Sequence, residues 1–157
     1  MEASAVPTLY EWMGGLSAIE RLMTRFYERV PADPMLAPVF ARMDPAHAKH
    51  VSAFIAEVLG GPADYSRHHG GHAHMIRKHL GRSLNEAQRR QWISLLLDCA
   101  EELQVKDDPE FRSAFVGYLE WGTRLAVLNS QPGAQAIEDA PMPSWGWGEV
   151  KGPYRQS

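Results

Sequence analysis

The chain of 157 residues contains one cysteine, Cys99, so no internal disulfide can form, which suits a reducing compartment. Cys99 falls among leucines on an expected helix and reads as a packing residue rather than a reactive thiol. No stretch approaches the ~18 apolar residues of a membrane span. The opening Met1-Glu2-Ala3-Ser4 shows neither the basic nor the apolar part of a leader. A cytoplasmic protein that does not engage the membrane is therefore expected. Charge of one sign is also missing: 16 Lys+Arg against 19 Asp+Glu leave a net charge of −3, and the basic residues are scattered, so nothing favours nucleic acid as a partner. Paired carboxylates, a glycine-rich phosphate loop and a G-x-S-x-G nucleophile motif are absent, which leaves hydrolase and kinase chemistry unsupported. No period-two alternation argues for a sheet, and no internal repeat is visible. With 45% hydrophobic and 22% charged residues, the chain fits one globular domain that handles a small molecule.

What is present is helical. Thr8 and Glu11 have capping-box spacing ahead of a short helix that stops at Gly14-Gly15. Ser17 and Glu20 repeat that spacing before Ile19, Leu22, Met23, Phe26, Tyr27 and Val30, a helical run closed by Pro31 and Pro34. Prolines at 31, 34 and 38 make the next segment a turn-rich connector carrying Leu36, Val39 and Phe40. Asp44 as cap and Pro45 at the first helical position open a helix with Val51, Phe54, Ile55 and Val58, which ends at Gly60-Gly61-Pro62. Residues 61 to 75 lack apolar periodicity and read as irregular, leading into a short helix around Met75 to Leu80 that Gly81 ends. Asn85 and Gln88 cap a helix whose one face holds Trp92, Leu95, Leu96, Cys99 and Leu103. Asp108-Pro109 opens a last helix reaching Asn129. From Ser130 onward proline, glycine and tryptophan dominate, and Trp145 and Trp147 predict a tail lying extended against the helical body. A partner-docking role for that tail is the alternative.

One histidine stands out. His79 lies in Met75-Ile76-Arg77-Lys78-His79-Leu80, whose short helix has an apolar face and a cationic face. A porphyrin needs an apolar cover for its ring and cations for its propionates, and one imidazole can hold its iron. Tyr27 and Trp92, on core faces of two other helices, carry the O–H and N–H that could serve a polar ligand on the opposite side. A blander account remains open, in which His79 is a structural histidine and both aromatics are core residues in a helical interaction module without cofactor. His47 lies one turn before Val51 and shares its face, whereas His50 is expected to point to solvent. His68, His69, His72 and His74 have no cysteine and only Asp64 nearby, so they read as solvated loop residues rather than a zinc site.

Taken together, these residues resemble the second group of truncated haemoglobins over residues 8 to about 128. The resemblance rests on Gly14-Gly15, Phe26-Tyr27, Phe40 after a proline-bearing connector, Gly60-Gly61-Pro62, Tyr65-Ser66, Gly71-His72, Arg77-Lys78-His79, and Trp92 thirteen residues after that histidine. It implies an all-α truncated globin, a two-over-two helical sandwich spanning residues 1–129, with a Pro/Gly/Trp-rich tail at 130–157. The cofactor implied is haem b, with His79 as proximal iron ligand and Phe40 packed on the haem face. Met75, Ile76, Val51, Phe54 and Tyr65 would surround the ring, and Arg77 and Lys78 occupy basic positions near the propionates. Tyr27 and Trp92 become distal donors, and His47 adds a third polar group where the family often has a small residue. Ala73, His74 and Gly81-Arg82 depart from the family's usual residues at the haem edge.

The function so implied is reversible binding of O2, and of CO and NO, at a five-coordinate iron under distal hydrogen bonds. The alternative is a haem enzyme that consumes nitric oxide or peroxide. No flavin or nicotinamide domain is visible in the chain, so such an enzyme would depend on a separate reductase. A monomer or homodimer is expected.

Overall fold

Seven α-helices, joined by turns, make up the regular structure of residues 5–135, 137 and 140–154, the part of the chain that the computed structural model describes. The opening Met1 to Ser4, read above for a leader, and parts of the tail lie outside these residues. Among the described residues there is no strand, and no helix is long and apolar enough to cross a membrane.

Helix α1 (Leu9–Met13) starts on the expected capping box: the Glu11 amide donates to Thr8 Oγ1 at 3.0 Å and the Thr8 amide to the Glu11 carboxylate at 3.3 Å. Gly14, at φ +114°, turns the chain directly into α2 (Gly15–Arg29). The second expected capping box therefore does not form. Helix α2 begins at Gly15 without a side-chain cap, which places Ser17 inside its first turn. The apolar period of α2 is as expected, burying Ile19, Leu22, Met23, Phe26 and Tyr27. A short 3-10 turn, Val30–Ala32, follows, and Asp33 then accepts the amides of Met35 and Leu36, both at 3.0 Å, to wind the proline-bearing connector over buried Leu36.

Asp44 and Pro45 form a turn rather than a helix start. The Asp44 carboxylate accepts the Ala46 amide at 2.7 Å and its carbonyl accepts the His47 amide at 2.9 Å, after which α3 (His47–Val58) begins. Segment 61 to 75 also departs from expectation, because it is largely helical. It carries α4 (Asp64–His68), tied to α3 by the Ser66 amide and hydroxyl on the Glu57 carboxylate, and then α5 (Gly71–His79), set off by Gly70 at φ +87°. Helices this short, built from histidines in place of aliphatics, carry no apolar period for sequence reasoning to detect. Helix α6 (Glu86–Glu102) has the Asn85–Gln88 capping box, and α7 (Pro109–Asn129) has Asp108 accepting the Phe111 amide at 3.1 Å.

Helix α2 packs on α3 and α6, α6 packs on α7, and α7 packs on α5, so two helical pairs stack around one core. The tail lies against this body. The Trp145 amide donates to the Val58 carbonyl at 2.9 Å, its indole N–H to the Ala114 carbonyl at 2.9 Å, and the Trp147 indole N–H to the Pro7 carbonyl at 2.7 Å.

Candidate functional site

His79 closes helix α5. Its Nδ1–H donates to the Met75 carbonyl one turn back at 2.9 Å, which fixes the tautomer and leaves the lone pair on Nε2. Among the described residues that nitrogen has no hydrogen-bond partner. Burial lowers the imidazole's pKa; the Met75 bond opposes that, and the charges of Arg82 and Lys78 add to it. The ring is thus neutral near pH 7, the form in which an imidazole ligates a metal. Ile76 is buried and Met75 half-buried beside it, whereas Arg77 is exposed and Lys78 partly so. The Lys78 carbonyl accepts the Arg82 side chain, so a third cation joins the basic end of this helix.

Helices α2, α3 and α6 bring the expected distal residues together. Tyr27 on α2 and His47 at the start of α3 share a hydrogen bond of 3.0 Å between the phenol oxygen and Nε2. Phe40 from the connector closes on both, with ring centres 5.5 Å from Tyr27 and 6.0 Å from His47. Trp92 on α6 stands against Phe26 at 5.2 Å, and Phe26 against Tyr27 at 4.9 Å, so one phenylalanine spaces the two polar aromatics. The half-buried Trp92 has no hydrogen-bond partner for its indole N–H among the described residues. Burial is the first cause that brings the His47 pKa down to about 4, followed by the positive charge of Lys78, Arg82, His50 and His79. Burial likewise pushes the Tyr27 phenol up, so it keeps its proton.

Further along α3, Val51 is half-buried and Phe54 is buried against Tyr65 at 5.1 Å. The Tyr65 hydroxyl is buried without a partner, and burial pushes its pKa up to about 12. His50, expected to point to solvent, is partly exposed, and its ring lies 4.6 Å from that of His69. His72 and His74 belong to α5 rather than to a loop, and His72 Nδ1 meets the Pro141 carbonyl at 2.9 Å. Among the described residues no three His, Cys, Asp or Glu side chains gather as a metal site of that kind. Sequence reasoning named Arg82 only as a departure from the family, and it missed the unpartnered Tyr65 hydroxyl and the His72–Pro141 bond; the last joins residues 69 positions apart and leaves no local signal.

The donor set fits a haem. One neutral imidazole has a nitrogen in reserve, Phe40, Phe54, Met75 and Ile76 could supply apolar cover, and the cations at the end of α5 would suit carboxylates.

Fold and donor set together define a truncated, two-over-two globin. A sequence model of the bacterial-like globin family matches residues 8–120, and the chain belongs to that family. It is 29% identical over 117 residues to the group 2 truncated haemoglobin YjbI of Bacillus subtilis, covering 74% of this chain and 86% of the relative. It is 35% identical over 89 residues to the group 1 truncated haemoglobin GlbN of a Nostoc species, covering 49% of this chain and 75% of the relative. Among solved structures, the group II truncated haemoglobin of Bacillus anthracis superposes with a TM-score of 0.71 at 26% identity, covering 79% of this chain and 93% of that one. The truncated oxygen-avid haemoglobin of Bacillus subtilis does so with a TM-score of 0.68 at 29% identity, covering 77% and 99%. The expected all-α fold and the resemblance to the second group are thereby borne out, and haem and oxygen binding follow from globin identity.

Proposed function

We propose that His79 Nε2 holds haem b as its only protein ligand and that Tyr27, Trp92 and His47 hydrogen-bond a diatomic gas on the opposite side. The observation that carries this reading is the bond from His79 Nδ1–H to the Met75 carbonyl, which commits one ring nitrogen and reserves the other. Bound there, haem would supply an iron that takes O2, CO or NO.

The distal residues differ in what they can offer. An indole N–H only donates, so Trp92 is an unconditional donor to a polar ligand. Tyr27 is conditional, because a neutral His47 either takes the phenol proton into its hydrogen bond or donates to the phenol oxygen and leaves that proton for the ligand. Two donors worth roughly 1–2 kcal/mol each would slow ligand release on the order of 10- to 10³-fold. Slow release favours storage or sensing over delivery. It also keeps open consumption of nitric oxide or peroxide, with electrons from a separate reductase; repeated nitrate formation from nitric oxide, rather than one stoichiometric burst, would mark that enzyme. Within this proposal residues 1–129 are the globin unit and 130–157 an appended tail.

An absorption spectrum of purified protein, reduced and then exposed to carbon monoxide, tests the reading. A Soret band that sharpens and shifts with carbon monoxide is expected, and in His79→Ala it is lost or altered unless free imidazole is added. A colourless protein that takes up no haem, or a His79→Ala spectrum identical to the native one, overturns it.

A further inference from the structure

Helix α5, which carries His79, starts without a side-chain cap, on Gly70 and Gly71 at φ +87° and +66°, and a Cβ added at Gly71 would meet nothing within 4 Å. A first turn that neither caps itself nor packs at its leading residue needs another hold. The tail provides one. His72, the second residue of α5, has Nδ1 at 2.9 Å from the Pro141 carbonyl, an acceptor, so Nδ1 carries the hydrogen. His72 precedes His79 by seven residues, two helical turns, so both rings lie on one face of α5. The His72 ring also stands 6.1 Å from Phe54 on α3.

Pro141 is itself held in place. Four residues on, Trp145 is pinned by its amide to the last residue of α3 and by its indole to α7, both at 2.9 Å. Trp147 is pinned by its indole to Pro7 at 2.7 Å and packs edge-on against Trp12 at 6.0 Å. Pro141 and Pro143 stiffen the stretch between these anchors and His72, since each fixes one backbone torsion. A strap tied at both of its tryptophans is held in place against α3, α7 and Pro7.

We propose that His72 is a positioning residue: gripped by the tail strap at Pro141, it fixes the start of α5 and through that helix the place of His79. The effect on haem retention rests on the function proposed above; the effect on α5 itself does not.

The test uses the full chain with His72→Phe, His72→Asn and Trp145→Phe. Asparagine keeps a donor close to the position of Nδ1, whereas phenylalanine keeps only bulk. Amide hydrogen exchange on haem-free protein is expected to speed up about two- to tenfold over residues 71–79 in His72→Phe, the range one hydrogen bond covers. Exchange over 86–102 stays at the native rate, His72→Asn restores protection, and Trp145→Phe follows His72→Phe. In haem-loaded protein, His72→Phe loses haem to excess apomyoglobin faster by a similar factor and shifts the iron–histidine stretching band. The strap is overturned if residues 71–79 exchange at native rates in His72→Phe and Trp145→Phe, if asparagine behaves as phenylalanine does, or if faster exchange spreads equally over α6. Should His72→Phe fail to fold, Trp145→Phe together with native-like His72→Asn still decides the matter. Selective exchange in a protein that takes up no haem supports the strap and sinks the haem reading alone.

Discussion

At the scale of single residues, the proposed distal side divides into a donor with no competitor, Trp92, and a donor with one, Tyr27. Trp92→Phe keeps the aromatic filler against Phe26 and removes the N–H, so O2 release measured by rapid mixing is expected to rise about tenfold; an unchanged rate removes Trp92 from the ligand. Tyr27 shares its proton with His47 across 3.0 Å, so Tyr27→Phe alone should speed release by less than Trp92→Phe does. Replacing His47 with leucine frees the phenol, and Tyr27→Phe in that background should then have the larger effect. A double-mutant cycle of release rates reads the coupling directly, and strict additivity would show that the two side chains act independently.

At the scale of elements, the end of α3 is seated on the start of α1. The Tyr10 amide donates to the Leu59 carbonyl at 3.0 Å and the Gly61 amide to the Ala56 carbonyl at 2.7 Å. A Cβ at Gly61 would lie 2.8 Å from that same Ala56 oxygen and 2.8 Å from the Tyr10 ring, and a carbonyl within a helix cannot swing aside. Gly61→Ala is therefore expected to cost about 1–3 kcal/mol, read from the urea midpoint of the haem-free chain; a native midpoint would mean that this junction yields freely. Glycine pairs of this kind were legible in the sequence, as were Asn85, Asp108-Pro109 and the period of α2, because caps and long amphipathic runs act locally. Ser17-Glu20 misled because Gly14 already turns the chain into α2 ahead of it. Helices α4 and α5 were hidden because their histidines carry no apolar period, and their order comes from tertiary contacts such as Phe54 on Tyr65 and the Ser66–Glu57 bonds.

At the scale of the whole molecule, stacking the helices around one core brings histidines from several elements close to the basic end of α5. The sequence revealed His79, Tyr27 and Trp92 as suspects but could not show this shared electrostatic setting, which exists only once α3, α4 and α5 meet. Burial first, then neighbouring positive charge, holds the pKa values of His47, His50 and His74 below their ordinary 6.5, with His47 down at about 4. As pH falls below 6.5 the unfolded chain takes up protons on these rings before the folded one does, so the unfolded state binds more protons and stability falls with pH. The contribution is complete above pH 6.5 and is lost progressively as pH drops towards 4. The carboxylate of Glu86, held down to about 2 by Arg89, acts in the same direction but begins only near its ordinary 4.5, so the interval from 6.5 to 4.5 belongs to the histidines. Urea unfolding of the haem-free chain at pH 7.5 and pH 5 should accordingly show a lower midpoint at pH 5. His47→Gln, which cannot take up the proton, should flatten that difference. Equal native midpoints at the two pH values would show that these rings are as easily protonated in the fold as in the open chain.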